Sequence, residues 1–243
     1  MKRMHLSFRR YSLFALMILA SGSALTAQAI NPDFQVDPKI SVPALAMTPG
    51  VPVATSDEND GLFTADASAV LVADYARLKD AAFAFDRYVQ MGMPYLHASN
   101  TVATPGPGLA VIWNWMTLSV SVFSATTKHC FGVQFHDELT PASSGSEWAL
   151  TPCPAEAKSH LPAALQPQYA DRPAFSTLEG TWYMERVPQF STPTAPRIYV
   201  RYTMTAEPDI MGAGLFSGSI QAKLEVGAKR VISILAGQAA IQP

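Results

Sequence analysis

The sequence predicts an α+β fold, an antiparallel sheet with a long helix laid on its apolar side, and three observations between Glu179 and Ala236 carry that prediction. First, Gly180, Trp182 and Met184 alternate with Thr181, Tyr183 and Glu185, and Ile198, Val200, Tyr202 and Met204 alternate with Tyr199, Arg201, Thr203 and Thr205. A period of two sets one apolar row on one face of each strand. Second, Pro188, Pro193 and Pro196 lie between the runs, where a missing N–H and a fixed φ suit a connection and would damage a central strand. The two runs therefore pair as an antiparallel hairpin. Third, after Glu207-Pro208-Asp209 the period becomes helical. Phe216, Ile220, Leu224, Val231 and Leu235 form a stripe, with Gln221, Lys223, Glu225, Lys229 and Arg230 on the other faces. A helix of about two dozen residues spans about 35 Å, enough to cross a curved sheet.

The chain opens on the basic residues Lys2, Arg3, Arg9 and Arg10, continues with an apolar run from Leu13 to Ala20, and reaches the small-residue site Ala27-Gln28-Ala29. That order describes a secretory signal peptide cleaved after Ala29. The run is shorter than the roughly 20 residues that cross a bilayer; the competing reading is an uncleaved anchor. The expectation is a periplasmic or secreted protein working as residues 30–243. Residues 30–60 are rich in Pro, Ala and Ser and read as an extended leader, with Val51 to Thr55 a strand candidate, and the domain proper is expected over 61–243.

Asp66 reads as the N-cap of a helix running to about Leu78, because its carboxylate can accept from the free N–H groups of a first turn. A second helix follows over Asp80 to Gln90, ended by Gly92 and Pro94. Strand-like texture begins at Tyr95: Asn100 to Ala103, a turn at Pro105-Gly106-Pro107-Gly108, then Ala110 to Thr117 and Leu118 to Ser124, rich in β-branched and aromatic residues. Cys130 to His136 and Glu147 to Leu150 continue the meander. Pro152, Pro154, Pro162, Pro167 and Pro173 then leave room for one short helix, Ala155 to His160. This insertion, about 152–175, has the length of a functional lid or a poorly ordered excursion.

Of the 243 residues 49% are hydrophobic and 15% charged, which supplies one sizeable core and a lined cavity. The whole chain has 17 basic and 19 acidic residues; without the signal segment 13 basic residues remain against 19 acidic ones, a formal charge of −6. A mildly acidic mature chain argues against nucleic acid and against docking on anionic lipid. No later segment reads as membrane-spanning, since Leu109 to Val122 is broken by Asn114, Thr117, Ser119 and Ser121. The two cysteines, Cys130 and Cys153, suit a disulfide in an exported protein, and two buried thiols are the alternative.

The run Leu178-Glu179-Gly180-Thr181-Trp182, then Tyr199-Val200-Arg201-Tyr202, then Glu207-Pro208 and the closing helix to Leu235-Ala236, resembles the carboxyl half of the START-like, or SRPBCC, superfamily. Asp66 to Leu71 followed by Asp74-Tyr75-Ala76-Arg77-Leu78 is similar to that superfamily's first short helices. The superfamily groups lipid-transfer domains, coenzyme-Q-binding proteins and polyketide cyclases. What the resemblance implies is a helix-grip fold: a curved antiparallel sheet wrapped around the C-terminal helix, two short helices after the first strand, and an apolar cavity under the helix. The implied cavity residues are Trp182, Met184, Val200, Tyr202, Met204, Phe216, Ile220 and Leu224, and the implied partner is a hydrophobic small molecule or lipid. The alternative under the same resemblance is a polyketide cyclase or aromatase using that cavity.

Catalytic and cofactor motifs give no competing assignment. No G-x-S-x-G nucleophile turn occurs. Gly212 to Gly218 has its third glycine one residue late for a dinucleotide loop and reads as small residues at a helix start. His129-Cys130 and His136-Asp137-Glu138 are the only metal-like groupings, and adjacent strand residues point to opposite faces, so neither a metal nor a cofactor is expected. His136 remains a candidate general base by residue type. Trp113, Trp115 and Trp148 read either as cavity wall or as ordinary core, with Trp113 and Trp115 sharing one face. Arg201 and Glu185 read as an exposed cross-strand pair.

Overall fold

The computed structural model describes residues 42–120, 123–209 and 217–241; the signal-segment reading and Phe216 lie outside them. Eight strands form a single sheet: β1 (Val53–Asn59), β2 (Leu62–Val72), β3 (Leu96–Gly106), β4 (Leu109–Val120), β5 (Phe123–Thr140), β6 (Ser143–Thr151), β7 (Phe175–Arg186) and β8 (Arg197–Pro208). Their spatial order is β1-β2-β8-β7-β6-β5-β4-β3, and every neighbouring pair is antiparallel. Helix α1 (Val42–Met47) precedes β1, α2 (Tyr75–Phe83) and a 3-10 turn (Phe85–Arg87) follow β2, α3 (Ala157–His160) sits in the β6–β7 connection, and α4 (Ser217–Gln238) closes the domain.

The β7–β8 hairpin pairs Trp182 with Tyr202 and Met184 with Val200, so the alternating apolar row of the sequence becomes one continuous face. Helix α4 has 22 residues and a span of about 33 Å. It lies over β1 and β2, and small residues allow the close approach. Ala65, Ala67 and Ala69 of β2 are at most 2% exposed and share the core with Ala228 of the helix, while Gly227 beside it is buried against the Tyr95 ring. Leu224, Val231 and Leu235 pack into the same core, while Ile232 and Ala228 hold central positions that the expected stripe did not include.

Several elements differ from the sequence reading. Asp66 is not a helix cap: residues 62–72 form a strand, and the helix begins eight residues later, where Asp74 accepts from the Arg77 N–H at 2.9 Å. Alanines at 65, 67 and 69 have high helix propensity, and burial of their face against α4 overrides it. The two short helical elements thus come after a β1–β2 hairpin, and β1, expected within the leader, is the sheet's edge. The second helix expected over Asp80 to Gln90 shrinks to the 3-10 turn, because α2 stops at Phe83 and the chain bends through Ala84. No break occurs at Thr117: β4 runs through it to Val120, and Phe123 and Ser124 already belong to β5.

Arg201 pairs with Asp66 rather than with Glu185. Its Nη2 donates to Asp66 Oδ2 at 2.5 Å and its Nε reaches both carboxylate oxygens at 3.0–3.1 Å. The register places Asp66 opposite Thr203, the next residue on the same face as Arg201, whereas Glu185 stands opposite Tyr199 and accepts from the Tyr183 hydroxyl. These groups occupy the convex face, where Val70 and Tyr199 also pack under Leu45 of α1.

The proline-rich insertion is ordered and docks on the convex face, away from the helix. Ala157 and Leu161 bury against Ala98, Val111 and Trp113, the Trp113 indole N–H donates to the Ala170 carbonyl at 3.0 Å, and Lys128 and Arg172 exchange backbone hydrogen bonds. It is therefore a strap and not a lid over the concave side. Cys130 of β5 and Cys153 at the strap's start form a disulfide with Cα atoms 5.1 Å apart. Opening this 23-residue loop by Cys153→Ala, or by reduction, is expected to cost about 3 kcal/mol in the chain-entropy model. The check is the urea midpoint of each form, with an unchanged slope marking an effect on stability alone.

Candidate ligand cavity

Between the concave face and α4 the structure leaves a cavity of about 100 Å³. One wall is aromatic: Phe131 of β5, Trp148 of β6, Trp182 of β7 and Tyr202 of β8 stand in sequence across the sheet. Ring centroids are 4.9 Å apart for Phe131 and Trp148, 6.5 Å for Trp148 and Tyr202, and 4.6 Å for Trp182 and Tyr202. These offset and tilted contacts suit the ring quadrupoles and hold the wall in one arrangement. The opposite side is supplied by Phe85, Tyr88, Met93 and Pro94 after α2, and Val231 of α4 closes it. Asp86 fixes the turn beneath Phe85 by accepting from the Thr101 backbone N–H and from its hydroxyl.

A glycine makes the wall possible. Gly180 is the register partner of Trp148, and a Cβ built there would lie 2.4 Å from Trp148 Cζ2 and 2.3 Å from the Thr203 carbonyl oxygen. The indole therefore rests directly on the β7 backbone. Sequence patterning showed Gly180 only as a member of the apolar row, since its partner lies on another strand.

Of the residues implied by the resemblance, Trp182, Tyr202 and Met204 line the cavity. Met184 and Val200 are fully buried in the core beside it, Leu224 packs against that core, and Ile220 is half-buried and stands outside the main cluster. Trp148, which the sequence left open between cavity wall and core, is wall. Phe85, Tyr88, Met93, Leu96, Asn114 and Phe131 were not among the expected lining residues, because they converge from segments whose facing parity becomes visible only with the pairing register. Trp113 and Trp115 share a face, as expected, but it is the convex one under the strap.

The cavity's hydroxyl groups are poor acids. Tyr88 donates to the Ala82 carbonyl, and burial, reinforced by the nearby Tyr202 hydroxyl, pushes its pKa far above the ordinary phenol range. Burial does the same to Tyr202, whose hydroxyl points at the Met204 sulfur at 3.7 Å. Tyr202 keeps some accessible surface because that surface faces the cavity. Both phenols stay protonated at any physiological pH. His136 does not reach the cavity: it alternates with core-facing Phe135, and its Nε2 lies 3.1 Å from Glu147 Oε1 on the convex side. No group of three or more potential metal ligands occurs among the described residues, and no described helix is long and apolar enough to cross a membrane.

Solved structures share this architecture. A STAR-related lipid transfer protein fragment from Xanthomonas axonopodis aligns at TM-score 0.51 and 13% identity, over 75% of this chain and 93% of that one. The human StarD13 (DLC2) lipid transfer and protein localization domain aligns at TM-score 0.56 and 7% identity, over 79% and 85%. Human STARD10 aligns at 0.53 and 6%, over 76% and 72%. The fold is the START-like helix grip. No family model matches the sequence, and no curated protein matches it at a significant level. At such identities the START-like kinship is one of fold, and the cavity contents have to be argued from this chain's own residues.

Two outcomes follow. Gly180→Ala is expected to destabilise the domain by about 1–3 kcal/mol, the usual cost of overpacking, because the clash is with backbone as well as indole. Thermal unfolding reads the cost, and a shifted Trp148 fluorescence reads the displaced wall. His129 on β5 is 1% exposed, and burial lowers its pKa from 6.5 to about 4. The native chain thus refuses a proton that the unfolded chain takes up below pH 6.5, so stability is full above that pH and falls progressively toward pH 4. The loss should approach about 3 kcal/mol, at about 1.4 kcal/mol per unit, and His129→Phe should flatten this part of the stability–pH curve in denaturant titrations.

Proposed function

We propose that this chain is an exported binding or carrier protein that holds a hydrophobic small molecule, or the apolar end of a lipid, between the sheet and α4. The observation that supports it best is the cavity itself, walled by Phe131, Trp148, Trp182 and Tyr202 and lacking a charged side chain among its lining residues. Such ligands dissolve poorly in an aqueous compartment, and removing their apolar surface from water yields about 25 cal/mol per Å². A six-carbon ring that buries on the order of 150 Å² therefore gains about 4 kcal/mol.

Size limits the ligand. About 100 Å³ is below the ~300 Å³ of ordinary small-molecule pockets, so a bulkier guest requires a wall to yield. Met93, Met116 and Met204 supply unbranched, adaptable side chains at that wall. Export rests on the basic, apolar and small-residue order of residues 2–29, and the Cys130–Cys153 bond suits an oxidising compartment.

A cyclase-like enzyme is the second reading, favoured by polar groups of Asn114, Tyr88 and Tyr202 at the cavity. The raised pKa of both phenols weighs against it, because efficient acid–base catalysis wants groups that titrate near the working pH. Native mass spectrometry of the protein purified from its own compartment tests the proposal. A reproducible hydrophobic ligand, unaltered after incubation, on a chain beginning at Ile30 is the expected result. A ligand converted to product would transfer the assignment to the enzyme, and a chain retaining residues 1–29 would remove the export reading.

A further inference from the structure

One end of the cavity is polar in an unusual way. Asn114 of β4 lines it, and the register places Ser99 of β3 and His129 of β5 directly beside Asn114 on either side. The three side chains form a cross-strand row on the concave face, with relative exposures of 3%, 4% and 1% for Ser99, Asn114 and His129. Each carries a buried atom without a hydrogen-bond partner: Ser99 Oγ, Asn114 Oδ1 and His129 Nε2. Burying one such atom is costly, and three in a row is far from the usual satisfaction of interior polar groups.

The chemistry of the row is specific. His129 Nδ1 lies 2.9 Å from Thr127 Oγ1, and that oxygen accepts from the Ala174 backbone N–H at 3.1 Å, with the Arg172 carbonyl farther off at 3.4 Å. The Thr127 hydroxyl proton is therefore assigned to the nearer acceptor, Nδ1, which leaves the hydrogen of the neutral imidazole on Nε2. Burial keeps the ring neutral, with a pKa lowered to about 4. An open N–H donor on His129 thus stands beside an open carbonyl acceptor on Asn114. A carboxylate or phosphate would find no cation among the lining residues, and an ammonium no anion.

We infer that Ser99, Asn114 and His129 form a subsite for an uncharged hydroxyl group on an otherwise apolar ligand, the hydroxyl donating to Asn114 Oδ1 and accepting from His129 Nε2. This rests on the cavity being the ligand site, and it selects alcohols and phenols over hydrocarbons, acids and amines. A dry apolar cavity would do the opposite and reject a hydroxyl in favour of a methyl of the same size.

The test uses phenol and toluene, which match in shape and differ in that one group, titrated into the purified protein and followed by amide chemical shifts. Phenol is expected to bind at least tenfold more tightly than toluene. Asn114→Leu should reduce that ratio by tenfold or more. In the unaltered protein, phenol but not toluene should move the ¹⁵N resonance of His129 Nε2, a readout that holds even if Asn114→Leu folds poorly. Toluene binding as tightly as phenol, a preference that survives Asn114→Leu, or a silent His129 resonance would each overturn the inference while leaving the cavity reading in place. Failure of both probes to bind would overturn the two together.

Discussion

Everything on the concave side depends on how closely α4 can approach β2. Ala65, Ala67 and Ala69 present methyl groups and Ala228 answers with another, so only small side chains stand along that seam, while the neighbouring Gly227 makes room for the Tyr95 ring. Buried area there is modest per residue, but the contact fixes the distance between helix and sheet for the rest of the helix's length. Farther across the sheet the side chains become large, at Phe131, Trp148 and Trp182, and the same helix passes over them with space to spare. The cavity is the geometric remainder of a small-residue seam at one margin and an aromatic wall at the other.

The wall adds its own constraint. Trp148 lies flat only because Gly180 has no Cβ, and the ring then carries Phe131 on one side and Tyr202 on the other. Polar groups within reach are either committed, as Tyr88 is to the Ala82 carbonyl, or left open, as in the Ser99–Asn114–His129 row. That division separates groups that support the fold from groups that can engage a guest.

Legibility in the sequence followed the range over which each signal is written. The β7–β8 hairpin and α4 were readable because their patterns are local: a period of two in Ile198 to Met204 and a helical stripe from Leu224 to Leu235. The sequence reads β2 as a helix on the capping chemistry of Asp66, nothing in its alanines argues locally against that, and only contact with the distant α4 makes them a strand's inner face. Likewise Asp66 looked like a cap until its partner Arg201 was known. The aromatic wall and the polar row assemble one residue per strand, so no stretch of sequence contains them. The available hint was parity: Cys130 belongs to the convex side, which sends His129 inward, and Trp113 does the same for Asn114.

The strap carries a mechanical consequence. It is bonded to β5 through Cys130, bridged to it again by Arg172 on Lys128, and buttressed by Trp113 on the rear of β4. The back of the sheet is therefore braced like a stiffened panel. Compliance is left to the front, where Met93, Pro94 and the helix meet. Admission of anything larger than a single ring must come by yielding there, and a change in the rear brace would alter rigidity without touching the guest's surroundings.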